Sequence, residues 1–443
     1  VQGDLEFIED GAKYQLRSID VGLSTPLLSF NLNRGVRLYG TLSTLSVDDW
    51  SEWYQTDIVQ NNRGQNDNSD KTDSGESAWN LLKFVDLQLQ SVMIDGRQWS
   101  DVNFFLAQEE DEFLVDIKSS HFTGQLTLPK QQSPENPIIA NLEHLKFESS
   151  ESLGPASSLL PNDLYNLSLI SKAATYDDYE VDNLQLETRL DGNKLVIQKI
   201  DFQRDAVFLR GQGLWEYEPT NQTNVTSFDF TLKGSKFGQT MAAFGLGEAM
   251  DDGEIELDSH LAWSDSLLNF NWESLTGNAK LILKDGVLND VDPGSARLIG
   301  LLSLSALPRR LLFGFSDVVA NGLEFDQISG NYTIAGENLI TNNTRMDSPS
   351  AKVVVTRSTG LRSQVYDQQM FITPKVRQTL PVIGSIVAGS GVGWGLLLFQ
   401  KMFKTVIDKT VEIEYTIKGT WDKPKFLLIE KPRIEQEASS RDK

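Results

Sequence analysis

Alternation of apolar and polar residues recurs along most of this chain, and it limits the fold more than any other feature. Val411, Ile413, Tyr415 and Ile417 alternate with Glu412, Glu414, Thr416 and Lys418. Leu184, Leu186 and Leu190 are interleaved with Gln185, Glu187 and Arg189, and Phe228, Phe230 and Leu232 with Asp229, Thr231 and Lys233. Ile255 and Leu257, and Leu281 and Leu283, keep the same spacing. A period of two sends successive side chains to opposite faces of a strand, so each segment has one greasy and one wet face. The fold class is therefore mainly β.

Turn residues punctuate the strands. Asp10-Gly11, Asp95-Gly96, Asp191-Gly192, Asp252-Gly253, Asp285-Gly286 and Asn321-Gly322 are dipeptides that tight hairpins favour, because they tolerate positive φ. Gly11, Gly96, Gly192 and Gly286 are spaced by 85, 96 and 94 residues, which predicts a degenerate repeat of strand meanders. Residues 1–128 read as one such region, with a polar insert over 61–77, and 164–290 as further repeats. Residues 129–163 read as linkers, Ser46 to Tyr54 as a short helical stretch and 430–443 as a charged tail.

One segment breaks the pattern. Gln378 to Gln400 carries no charge, and Leu380 to Phe399 is apolar enough to approach the 20 residues that a spanning helix needs. Pro381 and glycines 384, 389, 391, 393 and 395 disfavour one straight helix. Two short apolar helices around a Gly-rich turn are expected over 380–404. They would serve either as a plug closing a β core or as a membrane-touching tip.

Composition removes whole classes of function. A net charge of −22, from 62 acidic and 40 basic residues, excludes nucleic acid, whose phosphates need Lys/Arg fields. Cysteine is absent, so there are no disulfides, thiol nucleophiles or thiolate metal sites. His121, His144 and His260 have no ligand-like spacing, and no nucleophile elbow, P-loop or H-E-x-x-H motif occurs. Gly391-Val392-Gly393-Trp394-Gly395 follows no βαβ pattern, and the acidic pairs lack a calcium-loop spacing. The expectation is a protein that is not an enzyme and uses no cofactor or metal. The chain opens on Val1-Gln2-Gly3-Asp4, which reads as an excised or mature segment with any targeting information upstream.

What remains is apolar surface. The alternation fits two architectures: a closed sandwich, or an array that curls without closing and leaves a trough. A trough needs an occupant, and acyl chains suit it because they demand burial and no directional hydrogen bonds. Its expected lining is Leu184, Leu186, Leu190, Phe228, Phe230, Leu232, Ile255, Leu257, Leu281, Leu283, Ile413, Tyr415 and Ile417.

From about Leu261 onward the sequence resembles the C-terminal region of a member of the AsmA-like family of Gram-negative envelope proteins. The resemblance is carried by Gly286-Val287-Leu288, by Asp292-Pro293-Gly294-Ser295-Ala296-Arg297-Leu298-Ile299-Gly300-Leu301-Leu302 and by Leu307-Pro308-Arg309-Arg310-Leu311. Gly322-Leu323-Glu324-Phe325-Asp326, Tyr366-Asp367-Gln368 and Gly419-Thr420-Trp421-Asp422-Lys423-Pro424 continue it. It implies an elongated, open, curved antiparallel β-groove that carries phospholipid tails through the periplasm between inner and outer membranes. It further implies an inner-membrane anchor that this sequence does not contain. Residues 291–429 then form the family-like C-terminal region. Its apolar tip would meet the outer membrane through Val382, Ile383, Ile386, Val387, Trp394, Leu396, Leu397, Leu398, Phe399 and Phe403. Arg309 and Arg310 stand either as phosphate-headgroup ligands or as solvated residues of a structural turn. A rival expectation is a scaffold for outer-membrane proteins that carries no lipid.

Overall fold

The computed structural model describes residues 1–10, 13–27, 35–46, 82–94, 97–131, 133–147, 159–243, 250–267, 269–289, 323–349, 351–375, 412–421 and 423–429. The expected helical stretch at 46–54 (apart from Ser46), the insert at 61–77, the block around Arg309 and Arg310, the apolar segment 380–404 and the tail lie outside these residues. Among the described residues are 21 strands, one α-helix, α1 (Phe237–Ala243), and a 3-10 turn at Pro161–Asp163. They fall into two compact units. The first comprises Val1–Arg204, Leu209–Thr226 and Asp265–Phe270, and the second Asp205–Phe208, Ser227–Ser264 and Asn271–Lys443.

The first unit is a run of neighbours. It begins with β1 (Gln2–Asp10), β2 (Lys13–Leu23), β3 (Gly35–Ser46), β4 (Leu82–Ile94) and β5 (Arg97–Gln108). It continues with β6 (Glu112–Lys118), β7 (Phe122–Pro129), β8 (Ile138–Phe147), β9 (Leu167–Tyr176), β10 (Tyr179–Asp191) and β11 (Lys194–Arg204). Each strand hydrogen-bonds to the next in the chain. The expectation of purely antiparallel pairing is corrected at three places: β2/β3, β3/β4 and β8/β9 are parallel. Strands that run the same way need a crossover connection.

Cross-strand register turns the alternation into continuous rows. Val21, Leu38, Val85, Leu106 and Val115 are successive direct partners on β2 to β6. The row passes on through Leu126, Ala140, Leu169, Leu186 and Ile200 on β7 to β11. Ten strands thus place ten apolar side chains side by side, with no polar residue between them. Val85, Leu106, Val115 and Ala140 are buried, whereas Leu38, Leu126, Leu169, Leu186 and Ile200 are half-buried. On the parallel neighbouring row, Gly40 and Gly124 have φ of +126° and +153°, and a Cβ there would meet backbone oxygens of Leu23 and Asn141 at 2.0 and 2.4 Å. Close strand approach at these points requires glycine.

In the second unit the run is β14 (Met250–Trp263), β15 (Thr276–Leu288), β16 (Leu323–Ala335), β17 (Asn338–Asp347), β18 (Ala351–Gly360), β19 (Val365–Pro374), β20 (Ile413–Thr420) and β21 (Lys423–Leu428). All its described pairings are antiparallel. Strands β12 (Val207–Glu218) and β13 (Thr223–Gly234) contribute residues to both units. No described pairing returns β11 to β1 or β21 to β14, so each run is open. The fold is mainly β, as the alternation predicts, and open and curved, as the resemblance implies.

A shared irregularity crosses three neighbouring strands of the second unit. Asp251-Asp252 on β14, Lys284-Asp285 on β15 and Asp326-Gln327 on β16 are each two consecutive exposed residues between buried ones. Asp252 pairs with Gly286, and Gly286 with Phe325, so the three irregularities lie side by side. Asp252 and Asp285 have φ of 52° and 50°. The ladders keep their register across this point, so the positive φ is absorbed inside paired strands and not in a turn. The Asp252-Gly253 and Asp285-Gly286 dipeptides therefore form a crease within strands, where hairpin turns were expected. The Gly286 repeat position is thus not equivalent to Gly192, which sits in the β10/β11 hairpin.

Candidate functional site

The candidate site is the apolar face of these runs. In the first unit Leu186 stands in the ten-residue row between Leu169 and Ile200, and Leu184 is paired with Ser171 on the next row. Leu190 faces Leu195, which is buried. Leu184, Leu186 and Leu190 are all half-buried.

In the second unit the expected residues from three separate sequence regions meet in adjacent rows. Ile255, Leu283, Ile328, Met346, Val353, Ile372 and Ile413 are successive direct partners from β14 to β20. One row further, Leu257 pairs with Leu281, and Leu281 with Gly330. On the far strands this row contains Val355, Met370 and Tyr415. Ile417 lies beyond, beside Gln368 and Phe426. Polar pairs locate β13: Lys233 Nζ lies 2.7 Å from Glu256, Thr231 Oγ1 donates to Asp258 at 2.7 Å, and Asp229 is 2.7 Å from His260. These residues share the wet face, so Phe228, Phe230 and Leu232 point to the other. Leu232 packs against the main cluster and Phe228 stacks on Trp263 at 6.0 Å.

Burial divides the thirteen expected residues. Leu184, Leu186, Leu190, Phe228, Phe230, Leu232, Leu257, Leu281 and Tyr415 are half-buried. Ile255, Leu283, Ile413 and Ile417 are buried within one hydrophobic cluster that also holds Ile328, Val353, Met370 and Ile372. Sequence reading missed this second group on β16, β18 and β19. Their signal was weak because the apolar period slips by one residue between Phe325 and Ile328, and because Val353-Val354-Val355 does not alternate.

Inside the buried cluster sits a small polar network. Thr344 Oγ1 donates to the Tyr332 hydroxyl at 2.9 Å and lies 3.0 Å from Thr341 Oγ1. Gln368 Nε2 donates to Thr359 Oγ1 nearby on β19 and β18. Burial pushes the Tyr332 phenol up to about 12, and the Thr344 hydrogen bond opposes it more weakly. An unfolded phenol ionises near 10, so this group leaves stability unchanged below that pH and removes stability as pH rises from about 10 to about 12. Two pH units at 1.36 kcal/mol each give a loss of about 2–3 kcal/mol. Urea unfolding at about pH 9 and pH 12 should show that loss in the native chain and a curve flatter by the same amount in Tyr332→Phe. Equal slopes in the two proteins would show that Tyr332 is not held in its neutral form.

The opposite face is polar. Lys172 pairs with Glu143 at 2.7 Å and Lys194 with Glu216 at 2.8 Å, in exposed positions where each pair is worth little energy. Among the described residues no group of three or more His, Asp or Glu is placed to hold a metal ion. His121 stacks on Trp99, and His260 pairs with Asp229. No helix among the described residues is long and apolar enough to cross a membrane. The ten expected membrane-contact residues, Val382 to Phe403, fall outside the described residues, as do Arg309 and Arg310.

Comparison with known proteins extends the sequence resemblance well beyond the C-terminal region. The sequence profile of a family described as YhdP protein matches residues 1–426. The intermembrane phospholipid transporter YhdP of Escherichia coli (strain K12) is 21% identical over 365 residues, which cover 82% of this chain and 28% of that protein. The chain thus spans under a third of the length of that relative. No solved structure matches.

Proposed function

The chain belongs to the YhdP protein family, and from that premise we propose that it carries phospholipids by their acyl chains along its apolar face, between the inner and outer membranes of a bacterial envelope. The observation that supports this reading most is the uninterrupted row from Val21 to Ile200. Nine interstrand spacings of about 4.8 Å make it roughly 43 Å long. One leaflet of a bilayer core is only about 15 Å thick, half of the ~30 Å total. The row is therefore longer than one tail, and its half-buried members, Leu38, Leu126, Leu169, Leu186 and Ile200, are where tails lie on this reading. Each methylene removed from water contributes about 0.8 kcal/mol, so a bare strand face holds a tail with no directional contacts.

On this reading the lining is the set named from the sequence: Leu184, Leu186 and Leu190 in the first unit, and Phe228, Phe230, Leu232, Leu257, Leu281 and Tyr415 in the second. The same face continues into the packed residues Ile255, Leu283, Ile413 and Ile417. The wet face with its cross-strand ion pairs meets the periplasm. The chain performs no catalysis and needs no cofactor. The apolar segment 380–404 touches the outer membrane.

Native mass spectrometry of protein purified from membranes tests the proposal. Co-purified phospholipid, released when the chain is unfolded, is the expected result. A lipid-free protein that instead retains an outer-membrane protein would support the rival scaffold role.

A further inference from the structure

The apolar face of the second unit is not uniform, and its change occurs at one strand junction. On β15, Gly277, Ala279 and Leu281 are half-buried. Their direct partners on β16, in the same order, are Ile334, Tyr332 and Gly330, and all three are buried. Exposure falls between the same two strands on three consecutive rows. On β14 the matching residues Leu257, Ser259 and Leu261 are half-buried too. Past the junction, Ile328, Val353 and Met370 are 0% exposed. A second boundary runs along the strands: Ile255 and Leu283, one row from Leu257 and Leu281, are buried at 5% and 2%.

The polar network lies immediately past the junction. Tyr332 is the partner of half-buried Ala279, and its hydroxyl accepts from Thr344 within the sealed side. Hydroxyls that satisfy one another fix a unique packing. If hydrocarbon entered beyond β16, these groups would lose their partners in a medium that offers none, which is unfavourable. A cluster whose Ile328, Val353 and Met370 are fully buried and which is pinned by such a network behaves as a core, with no room for a tail.

We infer that acyl chains in the second unit lie only on the β13–β15 surface, around Leu257, Leu281 and Ala279, and stop against a wall at the β15/β16 junction. Strands β16 to β20 form the stop and are not part of the path, which takes half-buried Tyr415 on β20 out of the lining. This rests on the lipid reading above and gives it an end point, because a tail reaching the wall must leave the face there.

The absence of cysteine permits a direct test in the full chain. Single variants Ala279→Cys, Leu281→Cys, Val355→Cys and Met370→Cys are reacted with N-ethylmaleimide, with and without small vesicles of phosphatidylethanolamine and phosphatidylglycerol. Without lipid, the first two should label at least about a hundredfold faster, since the last two react only through local opening of a packed core. Vesicles should slow labelling at Ala279→Cys and Leu281→Cys by about tenfold or more, as bound tails occupy the surface. Rapid labelling at Val355→Cys or Met370→Cys, or equal protection of all four sites by lipid, would overturn the wall. Slow labelling at the last two with no protection at the first two would leave the wall standing and sink the lipid reading. Melting temperatures of the four variants identify any that label fast merely because they unfold.

Discussion

Leu186→Arg should cut phospholipid transfer between donor and acceptor vesicles by at least about thirtyfold while leaving the protein folded. Leu186 is at the middle of three direct apolar partners, Leu169, Leu186 and Ile200. A tail that slides along this row must cross the new guanidinium, and stripping water from an unpaired charge costs a few kcal/mol. At 1.4 kcal/mol per factor of ten, 2–3 kcal/mol gives about 30- to 150-fold. The fold tolerates the change because Leu186 is only half-buried, and an arginine stem covers apolar surface while its head reaches water. Glu187→Gln, one residue along and on the wet face, is the control and should transfer normally. Unchanged transfer by Leu186→Arg, with circular dichroism and melting like the native protein, would remove this row from the lipid path.

Ile328→Arg should have a different and larger effect on stability. Ile328 is 0% exposed and paired on both sides with buried residues, Leu283 and Met346. An uncompensated charge in such a position costs about 3–5 kcal/mol or more, a large part of the 5–15 kcal/mol that holds a typical domain together. Amide hydrogen exchange across β16 to β20 should rise towards unfolded rates, while β4 to β9 in the other unit keep their protection. Ile328→Val, which removes one methylene, should cost only about 1 kcal/mol. If Ile328→Arg were as stable as the native chain, the sealed cluster would have to be open to water. Leu186 and Ile328 look alike in sequence, each an aliphatic residue in an acidic strand. The two substitutions separate track from core.

That distinction explains how much could be read in advance. Alternation at Leu184 to Leu190, Phe228 to Leu232 and Ile413 to Ile417 fixes strand identity and sidedness, because period two has only one geometric reading. It says nothing about what lies over the greasy side, so the half-buried Leu281 and the fully packed Ile417 were indistinguishable. Strand direction was also hidden, since a side-chain period is the same in parallel and antiparallel pairs. The Asp-Gly pairs were half legible. Their sequence encodes a positive φ, and both a hairpin and an irregularity inside a paired strand can use one. Asp191-Gly192 spent it on a turn, whereas Asp252 and Asp285 placed it in a crease. The family resemblance supplied what physics left open, by favouring an open face over a closed sandwich.

The three parallel junctions carry a consequence for how the chain acquires its structure. A hairpin pair closes with few intervening residues, so each antiparallel neighbour adds quickly to the last. At β3/β4 the ladder instead waits on closure of residues 47–81, and at β8/β9 on 148–166. Loop closure costs entropy before any pairing rewards it, and non-local pairing slows folding accordingly. Strands β4 to β8 and β9 to β11 are therefore expected to zip up as separate nuclei that later join edge to edge. These seams are where newly formed strand edges stay unpaired longest, and an unpaired edge is a template for pairing with another chain.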